Sequence, residues 1–313
     1  MVKNISIENF KSIKSLSFDA KRINVFIGEP NTGKSNILEA LGLFSISHTD
    51  EKFKLKDFLR FKNLINIFHR NNILNPIKVV ADELHFEADR KILQQFSMGQ
   101  EGWENNWDDL FGNESYQIFK FYKFKVLTSY KSEFLDYLIP PFGTNLYVQL
   151  LTNPILRDIV ASILKDKGFR LNLETKDSKF NISEEIDDVI YTYPYENLSD
   201  TLQRLIFFLA CILTNRNSSL IFEEPESNIF PFYNQYLAET IGLDDESGNQ
   251  YFIATHNPYF LGSIAQKTKT KDLAVFITYM ENHETKLRPL REDEFPELFD
   301  YDIFYNLDRF IES

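Results

Sequence analysis

Ile23 to Leu41 reads INVFIGEPNTGKSNILEAL. Ile23, Val25 and Ile27 alternate as a strand requires, and Ile37, Leu38, Leu41 and Phe44 then recur at helical spacing. Between them, Gly28-Glu29-Pro30-Asn31-Thr32-Gly33-Lys34-Ser35 matches Gly-x-x-x-x-Gly-Lys-Ser/Thr at every fixed position. Glycines at these places let successive backbone N–H groups turn inward on phosphate oxygens. Lys34 brings a point charge to the β and γ phosphates, and the Ser35 hydroxyl is within reach of Mg²⁺. The helix that follows offers its N-terminus to the same anion. The strand–loop–helix context predicts a cradle for ATP or GTP and not merely a glycine turn.

The rest of the chain sets bounds on that reading. It has 313 residues, enough for one large domain or two modest ones, with 43% hydrophobic and 26% charged residues. A net charge of -12 argues against coating nucleic acid with the whole surface, since neutralising phosphates takes Lys and Arg. Cys211 is the single cysteine, so no internal disulfide forms and a reducing, cytoplasmic setting is expected. The N-terminal residues lack a signal-peptide pattern. The most apolar run, Leu205 to Leu213, falls well short of the ~20 residues a spanning helix needs, so no membrane is expected.

Outward from the loop, "ISIENF" and "KSLSFD" read as two strands ahead of it, and "IKVVADELHFEA" and "YQIFKFYKFKVLTSY" as later ones. Leu146, Leu150, Leu151, Ile155, Ile159 and Ile163 are spaced as in a helix, with Pro154 starting a new helix or kinking one. Trp103 and Trp107 sit in a polar stretch of the middle region. The expected organisation is a nucleotide-binding head of residues 1–48 and 190–313, with residues 49–189 as an inserted lobe.

Three motifs follow. "LIFEEPE", Leu220 to Glu226, is a buried-type strand ending in two carboxylates. A nucleotide site needs one to hold Mg²⁺ and another to polarise the attacking water. Glu223 and Glu224 are neighbours on a strand and so point to opposite faces, which suits divided roles. "YFIATHNP", Tyr251 to Pro258, places His256 just past another apolar strand, where it can sense a γ-phosphate. "LSDTLQ", Leu198 to Gln203, opens an apolar helix.

Taken in order, these motifs resemble the ABC-type ATPases of the SMC, RecF and OLD group within the AAA ATPases. "INVFIGEPNTGKSNILEAL" is similar to their Walker A, "IFEEPESNIFP" to their Walker B, and "IATHNPYFL" to their switch histidine. "PPFGTNL" is a weaker match to another recurring element. The resemblance implies an α/β P-loop NTPase fold: an ABC-type head with a mixed sheet around the Walker A helix, an antiparallel β lobe and a mixed α/β insert. It implies ATP contacts from Gly28, Asn31, Thr32, Gly33, Lys34, Ser35, Asn36 and Lys11. Ser35 and Glu223 would serve Mg²⁺, Glu224 would be the catalytic base, and His256 would touch the γ-phosphate. It further implies a homodimer or higher oligomer closed by an ATP sandwich, with Ser199 and Gln203 in the signature segment presented to the other copy's ATP.

Departures from the family pattern shape the functional expectation. Thr201 stands at the usual glycine of the signature, and a residue with a Cβ adopts φ > 0 poorly. After Leu290 the chain is too short for the acidic metal domain of OLD-type nucleases, and Asp300 and Asp302 read as solvated surface. The expectation is a lone ATPase head that signals to a separate effector protein, a nuclease among the candidates, in defence against phage or plasmids. Two alternatives stand beside it: a RecF-like repair ATPase and an ATP-sensing module with little turnover. The repair reading calls on DNA binding through Lys52, Lys54, Lys56, Arg60, Lys62, Lys120, Lys123 and Lys125.

Overall fold

The computed structural model describes residues 1–48, 55–98, 118–176, 179–297, 304 and 307–311. The chain divides into two compact units, Met1–Phe121 with Asn217–Glu224 and Ala238–Ser313, and Tyr122–Arg216 with Pro225–Leu237.

The first unit begins with β1 (Asn4–Phe10), β2 (Ile13–Asp19) and β3 (Ile23–Gly28), followed by α1 (Lys34–Gly42) and a one-turn α2 (Leu55–Phe58). Next come β4 (Ile77–Ala81), β5 (Leu84–Ala88), α3 (Arg90–Met98) and β6 (Phe119–Tyr122). The second unit holds α4 (Leu146–Thr152), α5 (Pro154–Lys165), β7 (Arg170–Glu174), β8 (Lys179–Ile186), β9 (Val189–Pro194) and α6 (Asp200–Thr214). The chain then runs through β10 (Ser219–Glu223), α7 (Pro231–Gly242), β11 (Gln250–Ala254), α8 (Pro258–Lys267), β12 (Leu273–Glu281), β13 (Glu284–Pro289) and α9 (Leu307–Ile311).

Two sheets build the first unit. One is the four-stranded antiparallel lobe β2-β1-β4-β5. The other is six-stranded, β13-β12-β3-β11-β10-β6. Its centre is parallel: β12 and β11 flank β3, and β10 lies beyond β11. Parallel strands are covered on both faces and read as unbroken apolar runs. Every residue of β3 is buried accordingly. Between the sheets, Phe18, Phe26 and Phe276 form a ring cluster with centroids 5.0–5.6 Å apart, near the preferred aromatic separation. This is the fold expected of a P-loop head with an antiparallel lobe.

In the second unit, Pro154 starts a new helix. Asn153 caps it by accepting the Leu156 N–H at 3.1 Å, and Pro154 occupies the position where a missing N–H costs nothing. β7, β8 and β9 form an antiparallel sheet. Cys211 is fully buried in α6, and burial pushes its thiol far above the ordinary range, as an inert core cysteine requires.

Two expectations need correction. The strand expected across "YQIFKFYKFKVLTSY" is short: among its described residues only Phe119–Tyr122 pairs, and residues 123–135 leave the sheet. Lys120, named above as a DNA contact of the repair reading, is 5% exposed and donates to Ser218 Oγ at 3.1 Å. Alternating Lys with Phe looks amphipathic in sequence, but Phe119, Lys120, Phe121 and Tyr122 are all buried. Trp103, Trp107, Lys52, Lys54, Asp300 and Asp302 lie outside the described residues.

The helix after the phosphate loop packs unusually close to the sheet. A Cβ on Gly42 would lie 2.3 Å from Cδ1 of the buried Phe121 ring. Gly42→Ala gains about 1 kcal/mol of helix propensity but overpacks a rigid ring, which costs about 1–3 kcal/mol. The expected net result is a lower thermal midpoint, read by calorimetry; a raised midpoint would contradict this packing.

Candidate functional site

Gly28, at the end of β3, has φ 150°, and a Cβ there would meet the Thr278 carbonyl oxygen at 2.3 Å. Gly33 has φ 100°, and its Cβ would meet Thr285 Oγ1 at 2.0 Å. Both fixed glycines are therefore required twice over, by backbone conformation and by the closeness of the β12–β13 hairpin. Thr32 Oγ1 donates to the Glu29 carbonyl at 2.8 Å and lies 2.7 Å from Thr278 Oγ1, which closes the loop on itself.

Lys34 is 5% exposed, and its ammonium donates to the carbonyls of Gly28 at 2.9 Å and Glu29 at 2.8 Å. Burial pulls its pKa down to about 8, against the opposing pull of Glu224 and Glu29. The cation is thus held inside the curl of the loop, where a phosphate would meet it.

The acidic residues arrive from far along the chain. Glu223 stands opposite Ala254 in the parallel ladder, and Ala254 stands opposite Phe26. The carboxyl ends of β10, β11 and β3 are thereby level, the usual location of ligand sites in such sheets. Glu224 takes φ 45°, uncommon for a side chain of its size, and its N–H donates to the Ala254 carbonyl at 2.9 Å. Its Oε1 lies 3.4 Å from His256 Nε2. His256 is set between Thr255 and Asn257, whose side chain caps α8 by accepting from Tyr259 and Phe260. Burial lowers the His256 pKa, Lys34 lowers it further and Glu224 opposes them, so the ring is neutral at pH 7.

A cavity of about 530 Å³ opens at the loop. Of the residues expected from sequence, it gathers Lys11, Asn31, Gly33, Lys34, Ser35, Asn36 and His256. Asn36, expected to touch the nucleotide, has its amide donated to Ser12 Oγ at 2.7 Å. Ser199 and Gln203 belong to the second unit. Ser199 is the N-cap residue of α6. Gln203 is 3% exposed, and its amide braces the signature turn by donating to the carbonyls of Leu198 at 2.6 Å and Glu196 at 3.2 Å. Thr201 lies in the first turn of α6 in an ordinary helical conformation, and its hydroxyl donates to the Asn228 carbonyl at 2.8 Å. No positive φ is asked of it, so the strain expected at this threonine is absent.

Sequence reading missed Glu39 and misplaced Arg60. Glu39 lies on α1 with a fully buried carboxylate that binds the Lys11 ammonium and accepts from Arg60 Nε at 2.6 Å. Arg60 also reaches Glu223 Oε1 at 3.0 Å. Burial opposes the charge on Arg60, but Glu223 and Glu39 together raise its pKa above the usual value. Arg60 is therefore tied into the site by two carboxylates while its side chain stays 59% exposed. A glutamate inside the apolar face of the Walker A helix was the available signal, because a buried carboxylate demands a partner.

The chemistry of the donors fits Mg²⁺ held by few protein ligands. Among the described residues no three His, Cys, Asp or Glu side chains form a metal cage. Mg²⁺ at nucleotide sites is commonly held by one or two side chains, with water and phosphate oxygens completing the octahedron. Ser35 and Glu223 are donors of that kind. Among the described residues no helix is long and apolar enough to cross a membrane.

Comparison with known proteins agrees with this geometry. The AAA ATPase domain family matches residues 1–210. A Helicobacter pylori (strain ATCC 700392 / 26695) protein called ATP/GTP phosphatase is 20% identical over 94% of this chain and 93% of its own length. The DNA replication and repair protein RecF of Leptospira interrogans is 28% identical over 32% of this chain and 27% of its own. Among solved structures, an SMC head bound to the C-terminal winged-helix domain of ScpA aligns with TM-score 0.54 at 12% identity, covering 94% of this chain and 99% of that one. A Pyrococcus furiosus SMC head with an extended coiled coil, bound to the C-terminal domain of ScpA, aligns with TM-score 0.50 at 10% identity, covering 96% and 98%. The fold is that of an SMC-type ATPase head.

The lowered pKa of Lys34 has a measurable consequence. A bound triphosphate favours the ammonium form, so the Lys34 contribution to ATP affinity is complete below pH ~8 and falls as the free lysine deprotonates above it. Titration calorimetry at pH ~8.5 in two buffers of different ionisation enthalpy should show proton uptake on ATP binding. Uptake equal at pH 6.5 and 8.5 would contradict the assignment.

Proposed function

The chain belongs to the AAA ATPase domain family, and we propose that it works as an ABC-type head whose ATP-dependent, head-to-head dimer passes its nucleotide state to a separate effector protein. The observation that carries the catalytic half is Glu224. Its strained backbone is pinned to β11, and its carboxylate sits 3.4 Å from a neutral His256. In this reading Glu224 takes the proton of the attacking water and His256 donates its N–H to the γ-phosphate. Lys34 and the loop amides bind the β and γ phosphates. Ser35 and Glu223 would hold Mg²⁺, which would neutralise charge on the phosphate oxygens. Arg60, fixed on Glu39, keeps Glu223 oriented.

The dimer rests on the resemblance. Ser199, Thr201 and the first turn of α6 are the signature segment, and the amino end of a helix of this length suits a phosphate offered by a second copy. The SMC heads described above were solved bound to ScpA domains, which supports a protein partner for a head of this fold. Placement in anti-phage or anti-plasmid defence, with a nuclease as effector, follows from the resemblance alone, as does the cytoplasmic setting. The division into a head of residues 1–48 and 190–313 with an insert at 49–189 is retained as a proposal about how the family core is interrupted.

The RecF similarity favours a second reading, a DNA-binding repair ATPase. Against it, Arg60 is committed to two carboxylates and Lys120 is buried. The reading of a sensor with little turnover rests on Thr201, whose Cβ stands where the family signature has glycine.

Lys34→Ala is expected to abolish ATP binding. Glu224→Gln should bind ATP normally, slow phosphate release by about 10²–10⁴-fold, and accumulate as a dimer with ATP by light scattering. Unchanged turnover in Glu224→Gln would remove Glu224 from its role. The chain alone should show no salt-dependent DNA binding; a steep salt slope would favour the repair reading.

A further inference from the structure

The phosphate loop is clasped from outside by Ser12 and Thr285, which no nucleotide motif includes, together with Asn36. Asn36 Nδ2, on α1, donates to Ser12 Oγ at 2.7 Å. Ser12 Oγ, in the β1–β2 turn, lies 2.6 Å from Thr285 Oγ1. Thr285 Oγ1, on β13 and fully buried, donates to the Thr32 carbonyl at 3.0 Å. The Thr285 N–H also donates to the Ser12 carbonyl at 2.9 Å, which locks the hairpin to the turn. One direction of donation satisfies the whole series: amide to Ser12, Ser12 to Thr285, Thr285 to the loop. Such chains strengthen one another in a buried setting.

We propose that Thr285 is a positioning residue for phosphate binding, and that it acts through the Thr32–Gly33 peptide. In a planar trans peptide the C=O and the following N–H point in opposite directions. Thr285 holds the Thr32 oxygen on the hairpin side. The Gly33 N–H is thereby turned the other way, toward the cavity that Gly33 and Lys34 line. A glycine peptide left unheld flips readily, because no Cβ opposes the change. The bare Cα of Gly33 is also what lets the Thr285 side chain approach so closely. The Thr285 hydroxyl thus aims a loop amide before the ligand arrives, which reduces the reorganisation that binding would otherwise require. A second hydroxyl on the same hairpin, Thr278 Oγ1, donates to the Ile27 carbonyl at 2.9 Å and lies 2.7 Å from Thr32 Oγ1.

The inference rests on the reading that the loop holds phosphate, and the test separates the two. Thr285→Val keeps the shape and removes the hydroxyl; Thr285→Ser keeps the hydroxyl. Mant-ADP binding without metal is expected to weaken about tenfold in Thr285→Val, the effect of losing one buried hydrogen bond, and to recover within about twofold in Thr285→Ser. KM for ATP should rise by a similar factor while kcat stays within about twofold. The Gly33 amide resonance is expected to move on adding ADP to the native protein and to move less in Thr285→Val. If Thr285→Val does not fold, Ser12→Ala, at a half-buried turn, shortens the same series and should weaken binding about threefold. Native affinity in whichever variant folds, or failure of Thr285→Ser to rescue, overturns the proposal. If Lys34→Ala also binds mant-ADP like the native chain, the phosphate-loop reading fails and the clasp falls with it. If only Lys34→Ala loses binding, the loop reading stands and the clasp alone is wrong.

Discussion

The parallel pairing of β3 with β11, and of β11 with β10, is the constraint on which the site depends. Each register is fixed by the ladder, so Phe26, Ala254 and Glu223 stand level across three strands. Gly28 leaves β3 just beyond that line, Glu224 leaves β10, and His256 leaves β11. A slip of one residue along any strand would turn its side chains to the opposite face and separate the acid from the loop. The buried Asn24 of β3 works against such a slip, because its amide donates to the Tyr251 carbonyl of β11 at 3.0 Å and would lose that partner.

Charge is arranged around this line with few groups left unpaired. Lys34 is hydrogen-bonded by loop carbonyls and lies in the field of the nearby Glu224 and Glu29. Glu39 is the counter-charge of the lobe: buried on α1, it accepts from Lys11 on one oxygen and Arg60 on the other. Arg60 passes the connection on to Glu223. A fully buried carboxylate without partners would be strongly disfavoured. Glu39 therefore fixes where the β1–β2 turn and the segment after α2 must sit, and through Arg60 it fixes the orientation of Glu223. His256 is kept neutral by partial burial and by Lys34, which suits a group that offers a single N–H to phosphate.

The loop is also shaped by its neighbours. Thr278 and Thr285 belong to a hairpin more than two hundred residues downstream, yet they occupy the space that side chains at Gly28 and Gly33 would fill. The glycines of the motif answer both to the phosphate and to this hairpin. The stretch of the second unit that carries the signature is built on local terms: Gln203 braces the turn before α6, and Thr201 ties the helix start to Asn228.

From the sequence alone one could read the strand–loop–helix, the two carboxylates closing β10, the histidine past β11, the restart of the helix at Pro154 and the buried state of Cys211. Each is a local pattern, in which periodicity or a short motif states its own environment. The sequence did not disclose that Lys120 is buried, that Arg60 serves Glu39 and Glu223, that Asn36 turns to Ser12, or that Thr285 reaches the loop. Those facts depend on which residues distant in the chain become neighbours. Side-chain charge and polarity state only that a partner is required; pairing across the sheet and the lobe decides which partner it is.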